Sequence, residues 1–325
     1  MLRAYGPDCD GSIIRAEHNL IPPGATWIDL EEPTREEEDL VERTIGHNVP
    51  TQLELAEIEP SSRLFERDGA LYMTLSALFG VAEGKPSTTP IGFVLASNRL
   101  VTVRYATPKP IRAFTEHVCR EPELARDALT VMVRLLDAII DRLADELEAA
   151  GTALEKVSGL IFDPEIAERR IPATRLTALL TGIGRTQTLL AKIRETLVST
   201  GRLLSFLGAS SVFHDDRNVD SRNHLSSLTT DVNSLIDHSS FLADNLTFLL
   251  DAALGLISIE QNAGMKLFSW VALVFLPPTL VAGVYGMNFE YMPELKWLHG
   301  YPWALALMVA SAVFPLWYFK RRGWI

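Results

Sequence analysis

The stretch LFSWVALVFLPPTLVAGVYGMNF, Leu267–Phe289, contains 23 residues without a charged side chain. A second uncharged run, GYPWALALMVASAVFPLWYF, covers Gly300–Phe319 and has 20 residues. Each run is long enough to cross the roughly 30 Å hydrocarbon core of a bilayer as an α-helix. Tryptophan and tyrosine lie toward the ends of both runs, where such side chains favour the membrane interface. The two runs predict two membrane-spanning helices; the alternative is a pair of buried core helices.

The charges around these runs predict their orientation. Three basic residues, Lys320–Arg322, follow the second run, and basic residues that flank a span favour the cytoplasmic side. Since two spans return the chain to the side on which it began, residues 1–265 are expected in the cytoplasm as well. The first twelve residues lack the basic and then apolar layout of a signal peptide. We therefore expect a multi-pass protein of the plasma membrane, the inner membrane in a bacterium, with both termini cytoplasmic.

Acidic side chains dominate the part of the chain before the spans. The whole protein has a formal net charge of −11, and five basic and two acidic residues from Lys266 to Ile325 contribute +3, so residues 1–265 carry about −14. A nucleic-acid partner would need a basic surface, whereas an acidic surface concentrates cations. The two cysteines, Cys9 and Cys119, lie far apart without a CxxC spacing, so neither a disulfide framework nor a thiolate metal site is predicted.

Short strands and helices alternate at the start of the chain. Thr26–Leu30 has the composition of a strand, and Thr34 with a glutamate three residues later forms the capping-box pattern that begins a helix. Asp68-Gly69 and Ser97-Asn98 each separate two apolar runs, as the turns of β-hairpins do. These patterns predict an α/β fold for residues 1–108.

Helical periodicity replaces this pattern in the next part of the chain. Apolar residues recur at helical spacing over about 110–160 and 173–208, with a break at Asp163-Pro164. After residue 218 no proline occurs before Pro277, so a single helix is predicted from about 218 to 286. At 1.5 Å per residue this helix would be roughly 100 Å long.

A heptad pattern runs along this long helix. Leucines recur every seventh residue from Leu228 to Leu256, and Val232, Leu246 and Ala253 add the intervening four-residue offset. Such a seam is typical of a helix that packs along partner helices. We expect a symmetric oligomer to supply those partners.

The predicted organisation has seven parts. They are a cytoplasmic α/β domain (1–108), a cytoplasmic helical region (109–215), a stalk helix (216–264), a first transmembrane helix (265–288), an external loop (289–299), a second transmembrane helix (300–319) and a basic cytoplasmic tail (320–325).

Motifs of enzymes and of zinc sites are missing from the sequence. No nucleotide-binding loop, GxSxG or HExxH motif occurs, so no enzymatic activity is predicted. His214-Asp215-Asp216 could bind a metal, but a hinge and N-cap before the stalk helix is the better interpretation. The other histidines are scattered, which is unlike a zinc centre.

The loop between the spans carries the most specific motif. It reads GVYGMNFEYMPELKW (Gly283–Trp297), with Gly286-Met287-Asn288 closing the first span and Met292-Pro293-Glu294-Leu295 after it. Together with the second span and the basic tail, this loop resembles that of the CorA family of divalent cation channels. The resemblance is specific from about Asn262 to the end of the chain. Over residues 1–215 it rests only on the order of an acidic α/β domain, helices and a stalk.

The resemblance implies an architecture and a substrate. CorA proteins are homopentamers with a cytoplasmic funnel, in which the stalk helix continues into the pore-lining span. They transport magnesium and also accept cobalt and nickel, so Mg²⁺ is expected both as the transported and as the regulatory ion, without an organic cofactor. The implied partners are further copies of the chain, the lipid bilayer and divalent cations. A zinc branch shares Gly-Met-Asn but departs in the loop after it, so Met292–Leu295 favours magnesium.

The tripeptide at the end of the first span predicts a selectivity filter formed by Gly286, Met287 and Asn288. Mg²⁺ releases its water ligands reluctantly, so a channel can admit the hydrated ion and bind its water shell with neutral acceptors. Five copies of the Asn288 amide and the Gly286 carbonyl would form such a ring, and the adjacent helix C-termini add partial negative charge. Glu290 and Glu294 in the external loop would raise the local cation concentration. A helix C-cap at Asn288 and merely solvated glutamates are the alternatives.

One face of the first span is predicted to line the pore. Its residues follow one another at intervals of three or four: Asn262, Met265, Phe268, Ala272, Leu276 and Thr279. By the resemblance, Asn262 and Thr279 match polar ring positions of the family and Met265 matches its apolar constriction, while Phe268 and Leu276 depart conservatively. An apolar ring can gate a pore by dewetting. Helix–helix packing is an equally good interpretation of Phe268 and Ala272.

Acidic residues on the stalk are candidate regulatory metal ligands. CorA proteins close when cytoplasmic magnesium is high, through ions bound between protomers at acidic residues. Asp237, Asp244 and Asp251 follow one another at intervals of seven, with Asp231 before them, and Asp251 matches a stalk aspartate of the family. The second sensor carboxylate of the family has no clean counterpart, since a serine stands there. A solvated helical face is the alternative interpretation.

Two other functions remain compatible with the sequence. One is a zinc transporter on the same scaffold; if coupled to protons, it would take up zinc in response to a proton gradient. A two-span signalling or scaffold protein would transmit a signal through its coiled stalk, but it would leave Gly-Met-Asn without a role.

Overall fold

The computed structural model describes residues 1–7, 9–14, 20–57, 59–162, 172–211, 219–287 and 292–322. The chain divides into two compact units. The first comprises Met1–Asp163 and Thr177–Leu250, and the second comprises Pro164–Leu176 and Asp251–Ile325.

A seven-stranded sheet forms the centre of the first unit. In chain order its strands are β1 (Leu2–Gly6), β2 (Cys9–Ile14), β3 (Trp27–Glu31), β4 (Leu64–Arg67), β5 (Ala70–Phe79), β6 (Ser87–Ala96) and β7 (Arg99–Arg104). They lie in the order β2-β1-β3-β7-β6-β5-β4. Strands β3 and β7 are parallel and the other neighbours are antiparallel. The predicted α/β fold is confirmed, although β1 and β2 were not predicted, because glycines and polar residues interrupt their apolar pattern.

Both predicted hairpins are present, with the predicted residues at their turns. Asp68 and Gly69 have φ angles of 53° and 80°, and Ser97 and Asn98 have φ angles of 49° and 60°. Two successive residues with positive φ match the right-handed twist of the flanking strands, which is why Asp-Gly and similar pairs favour such turns.

Eight α-helices complete the described structure. They are α1 (Arg35–Ile45), α2 (Gln52–Leu55), α3 (Pro60–Arg63), α4 (Lys109–Arg120), α5 (Ala128–Ile161), α6 (Ala173–Ala209), α7 (Val219–Tyr285) and α8 (Gly300–Arg321). Helix α1 begins with the predicted capping box, in which the backbone N–H of Glu37 donates to the Thr34 hydroxyl and the Thr34 N–H donates to the Glu37 carboxylate. The single long helix predicted for about 218–286 is confirmed as α7, which has 67 residues.

The stretch predicted to be helical over about 110–160 is helical in the structure, but it is not continuous. The structure divides it into α4 and α5, separated by a 3₁₀ turn at Pro122–Ala125. Pro122 lacks an N–H group and disfavours the helical conformation at Glu121, whose φ and ψ are −129° and 79°. Asp127 then caps α5, because its Oδ1 accepts the Thr130 N–H at 2.8 Å.

The two faces of the sheet bury different kinds of residue. On one face, Leu40, Val41 and Ile45 of α1 belong to an apolar cluster with residues of β1, β3, β6 and β7. On the other face Trp27 stacks on Tyr5 at 4.4 Å between ring centroids and also contacts Phe114 of α4. Because strand residues alternate between faces, this second face also receives the polar residues of β3 and β7.

A buried ion pair joins the two parallel strands on that second face. Nη2 of Arg104 lies 2.9 Å from Oδ2 of Asp29, and the two side chains are 4% and 1% exposed. Asp29 also accepts a hydrogen bond from the Thr102 hydroxyl, and the Trp27 indole N–H donates to that hydroxyl. Burial alone would raise the pKa of the neighbouring Glu31, but hydrogen bonds from Thr107 and Arg104 lower it. The network holds β3 and β7 together with its charges paired.

The heptad seam of α7 is buried against helices of the same chain. Leu228, Val232, Leu242, Leu246 and Leu249 are each less than 5% exposed. A Cβ atom added to Gly201 or Gly208 of α6 would lie 3.4 Å from Val232 or 3.3 Å from Leu225, and one added to Gly151 of α5 would lie 3.7 Å from Leu242. The glycines therefore allow close packing along this part of α7. The expectation that an oligomer supplies the partners of the seam is corrected, since α5 and α6 supply them in the first unit.

Candidate functional site

Two helices have the length and composition of membrane spans. They are the apolar part of α7 and the whole of α8, whose best windows have mean hydropathies of 2.0 and 1.5. None of the residues in either window is buried within the chain. Large apolar side chains such as Phe268 and Leu276 are 73% and 67% exposed. A surface this apolar requires a cover of lipid or of further protein.

One ring contact joins the two apolar helices. The rings of Trp270 on α7 and Phe319 on α8 meet edge to face, with centroids 6.3 Å apart. At the end of α8 the guanidinium of Arg321 lies 5.5 Å from the ring centroid of Trp317, and that of Arg322 lies 5.7 Å from the centroid of Tyr318. Aromatic rings beside basic groups are typical of the level of the lipid headgroups.

Helix α7 ends at the predicted filter tripeptide. The Gly286 N–H donates to the Ala282 carbonyl at 2.8 Å, and the Met287 N–H donates to the Val284 carbonyl at 3.3 Å. A Cβ atom at residue 286 would lie 3.0 Å from the Ala282 oxygen, so only glycine fits this turn without a shift. Asn288 and Glu290 lie outside the described residues, as does the side chain of Glu294, whose backbone belongs to a 3₁₀ turn at Pro293–Lys296.

The residues of the predicted pore face share one side of the continuous helix α7. Their spacing of three and four residues places them there, and all are exposed in the single chain: Asn262, Met265, Phe268, Ala272, Leu276 and Thr279. The Thr279 hydroxyl donates to the Phe275 carbonyl at 2.6 Å, which leaves its oxygen as an acceptor toward that side. Pro277 and Pro278 lie inside the helix and leave the carbonyls one turn earlier without their usual N–H donors. This side of α7 thus carries both polar acceptors and large apolar side chains.

The four predicted regulatory aspartates are all exposed on α7: Asp231, Asp237, Asp244 and Asp251. Within the described residues of this one chain, no group of three or more histidine, cysteine or acidic side chains is arranged to hold a metal ion. Among the residues that the structure describes, these aspartates therefore form no metal site within one chain.

Asp231 instead lies near an acidic face of α5 that was not predicted. Burial raises the pKa of Asp141, and the nearby carboxylates of Asp137, Asp145 and Asp231 raise it further, while His224 lowers it. Nε2 of His224 lies 3.1 Å from Oδ2 of Asp137. The spacing of four residues between Asp137, Asp141 and Asp145 was the signal in the sequence, because such residues share one face of a helix.

Comparisons with known proteins connect these features. A family model described as CorA-like Mg2+ transporter protein matches residues 23–321, which include both apolar helices and the segment between them. The chain belongs to this family. The family consists of transporters, and the resemblance seen in the sequence is thereby confirmed.

Two relatives, both named as magnesium transport proteins, match this chain over nearly their whole length. The "Magnesium transport protein CorA" of Escherichia coli (strain K12) is 36% identical over 301 residues, which are 93% of this chain and 92% of the relative. The protein of that name from Sodalis glossinidius is 35% identical over 301 residues, with the same shares of the two chains.

Solved structures share the fold. The complete CorA magnesium transporter from Methanocaldococcus jannaschii has a TM-score of 0.73 at 23% identity, over 94% of each chain. The full-length CmaX protein has a TM-score of 0.67 at 18% identity, over 98% of this chain and 95% of that one. The ZntB cytoplasmic domain from Vibrio parahaemolyticus has a TM-score of 0.51 at 9% identity, over 70% and 86% of the two chains. The predicted order of an α/β domain, a long helix and two apolar C-terminal helices is therefore confirmed.

Proposed function

We propose that this chain transports Mg²⁺ across a membrane through a pore. The main support is the match to the family model over residues 23–321, which include both apolar helices and the Gly286-Met287-Asn288 segment. The relatives named as magnesium transport proteins are similar to this chain over 93% of its length. Co²⁺ and Ni²⁺ are proposed as further substrates, because their hydrated ions are also octahedral.

The transporting unit is proposed to be a homopentamer. In the single chain, neither candidate span has any buried residue, and α7 presents polar acceptors on one side. Five copies with that side of α7 around a common axis would leave the acceptors in a water-filled pore and the remaining apolar side chains toward α8 and lipid. The freed carbonyls before Pro277 and Pro278 would face protein or pore water, where they are tolerated.

The orientation in the membrane follows from the charges. Lys320, Arg321 and Arg322 favour the cytoplasmic side, so both termini and the first unit are proposed to be cytoplasmic in the plasma membrane. The loop between the spans would then be external. There Glu290 and Glu294 would concentrate cations at the entrance of the pore.

Selection is proposed at the end of α7. Helix α7 ends where the Gly286 N–H donates to the Ala282 carbonyl, and the C-terminal end of a helix carries partial negative charge. Five Asn288 amide oxygens and five Gly286 carbonyls would accept hydrogen bonds from the water shell of the ion, with Met287 between them. Since the acceptors are neutral, the ion keeps its first shell and is not trapped.

Conduction below the filter is proposed to follow the exposed side of α7. Thr279 and Asn262 would offer polar rings, and Leu276 and Met265 would form apolar rings between them. An apolar ring that loses its water closes a pore without a steric plug. Phe268 and Ala272 lie on the same side and are proposed to line the pore or to pack between protomers.

Regulation by cytoplasmic Mg²⁺ is proposed at the aspartates of α7. A single chain provides no metal cluster in its described residues, so a regulatory ion would have to bridge Asp231, Asp237, Asp244 or Asp251 to a second protomer. These aspartates and the pore face belong to one uninterrupted helix, which can couple them. Bound ions would favour the closed form only by their higher affinity for it.

Ion flux into proteoliposomes tests the proposal. Purified full-length protein is reconstituted, and uptake of Mg²⁺, Co²⁺, Ni²⁺ and Zn²⁺ is measured separately, each with and without a pH gradient. We expect saturable Mg²⁺ uptake that is independent of the pH gradient. Zinc uptake driven by protons, with weak magnesium uptake, would favour the zinc transporter; no flux of any ion would contradict transport.

A further inference from the structure

A polar pocket in the first unit lies between the sheet and α6, and none of the residues that line it belongs to α7. It has a volume of about 620 Å³. Its walls include Arg63 at the end of α3, Ser76 of β5, and four residues of α6: Arg194, Glu195, Ser199 and Arg202. We call it the arginine pocket.

Basic side chains outnumber acidic ones among the described residues that line the arginine pocket. Three guanidinium groups and one carboxylate line it, so its net charge is +2, whereas residues 1–265 carry about −14. Glu195 accepts hydrogen bonds from Thr88 at 2.9 Å and from Lys192 at 2.8 Å, and it interacts electrostatically with Arg63 as well. Among the side chains that the structure describes, neither Arg194 nor Arg202 has an ion-pair partner.

Hydrogen bonds between the sheet and α6 hold the pocket in shape. Nη1 of Arg63 donates to the Ser76 hydroxyl at 3.0 Å, and its Nε donates to the Glu57 carbonyl at 2.6 Å. The Ser76 N–H donates to the Ser199 hydroxyl at 3.1 Å. Both serine oxygens are thus acceptors in these bonds, and their own O–H groups are left to donate. The pocket therefore offers mainly hydrogen-bond donors, as an anion requires.

We propose that the arginine pocket binds an oligophosphate anion. A guanidinium group matches a phosphate with two parallel N–H donors, and hydroxyl groups add further bonds. Arg194 and Arg202 are eight residues apart on one helix, which is about 12 Å along its axis, so they would contact different phosphate groups. The volume is that of about twenty water molecules at 30 Å³ each, which exceeds the needs of a single phosphate. No aromatic side chain lines the pocket, so recognition rests on the phosphates and not on a nucleobase.

Calorimetric titration of the full-length protein tests this proposal without any transport measurement. Tripolyphosphate is titrated into purified protein in detergent, with divalent ions removed by EDTA. We expect saturable binding of one molecule per protomer, at least tenfold weaker when Arg194→Gln and Arg202→Gln are combined. The matched control is Arg175→Gln, which removes an exposed arginine of the same helix outside the pocket and is expected to leave the affinity unchanged.

Two further measurements distinguish a nucleotide from an inorganic oligophosphate, and a phosphate ligand from acidic groups of a second copy of the chain. ATP that binds as tightly as tripolyphosphate, and loses affinity in the double variant, would support recognition through the phosphates alone. Absence of saturable binding, or equal binding by the wild type and the double variant, would overturn the proposal. A double variant that no longer forms the oligomer of the wild type would also overturn the proposal, since the pocket would then bind acidic groups of a second copy of the chain. If the double variant fails to fold, Arg194→Gln alone provides the same comparison.

Discussion

Nε2 of His224 on α7 lies 3.1 Å from Oδ2 of Asp137 on α5. This contact joins two long helices of the first unit on a face where acidic side chains repel one another. Asp141 and Asp145 follow Asp137 on α5, and Asp231 approaches them from α7. His224 lowers the pKa of Asp141 and so acts against the neighbouring carboxylates, which raise it.

Asp141→Asn is expected to stabilise the protein at neutral pH. Burial and three neighbouring carboxylates raise the pKa of Asp141, so the folded state favours its uncharged form. Below the ordinary carboxyl pKa, Asp141 is uncharged in both states and costs no stability. As pH rises through the raised pKa, Asp141 ionises in the folded protein and the free energy of unfolding falls. Since the side chain is mostly exposed, the gain should be on the order of 0.5 kcal/mol. Melting curves of the full-length protein should show the gain at pH 7.5 and its decline toward pH 4.5, with Glu148→Gln, on the exposed side of α5, as the control.

Arg104→Leu is expected to destabilise the first unit strongly. The substitution leaves the Asp29 carboxylate buried without its partner, and such a loss typically costs about 3–5 kcal/mol. Denaturant unfolding of the full-length protein, followed by near-ultraviolet circular dichroism, measures the loss. The double variant Asp29→Asn with Arg104→Leu should recover a large part of it, because residue 29 then carries no buried charge. A single variant as stable as the wild type would mean that water solvates Asp29.

Gly286→Ala is expected to impair transport, whereas Gly283→Ala is not. A methyl group at residue 286 would lie 3.0 Å from the Ala282 carbonyl oxygen, so the backbone at the end of α7 would have to move by a few tenths of an ångström, while one at residue 283 meets no atom within 4 Å outside the neighbouring backbone of its own helix. Mg²⁺ uptake into proteoliposomes should fall at least severalfold for the first variant only. Equal uptake by the two variants would mean that the close turn at Gly286 does not position the filter.

Asn288→Ala is expected to abolish selective Mg²⁺ uptake and leave the oligomer assembled. The proposed role of the amide is to bind the water shell of the ion, and it contributes no apolar surface to assembly. Uptake and the mass of the oligomer are measured on the same preparation. Asn233→Ala, on an exposed position of α7 in the first unit, serves as the control and should transport normally. Wild-type flux and selectivity in Asn288→Ala would remove this residue from the filter.

Asp244→Asn combined with Asp251→Asn is expected to relieve inhibition by internal Mg²⁺. Ions bound at these aspartates are proposed to hold protomers in the closed form, so neutral side chains should raise flux at high internal Mg²⁺ severalfold and weaken the protection of α7 from protease. Selectivity should not change, because the filter lies at the far end of the same helix. Asp220→Asn, in the first turn of α7, is the matched control. Unchanged inhibition together with unchanged protease protection would make these carboxylates ordinary solvated residues.

Local chemistry explains what was predictable about the fold. Capping at Thr34, the two hairpin turns and the uninterrupted helix α7 depend on residues that are neighbours in the chain, so the sequence predicts them directly. The two apolar runs were predictable from local sequence as well, because a helix that crosses a bilayer needs about 20 consecutive apolar residues. The break at Pro122 was equally local, but the apolar periodicity on both sides of it concealed it.

Sequence alone determined that this chain has an acidic α/β domain, one long helix and two apolar helices joined by Gly286-Met287-Asn288. Only the tertiary structure decided what the heptad seam of α7 contacts. A heptad seam predicts that a helix packs against other helices, but not whether those helices belong to the same chain or to another copy. Glycines 201 and 208 of α6 answer that question, by letting α7 pack within its own chain. The acidic face around Asp141 and the arginine pocket were hidden for the same reason. Asp231 approaches Asp141 from another helix, and Arg63 lines the pocket with Arg194 from another element; electrostatic interactions depend on such distances in space, which only folding creates.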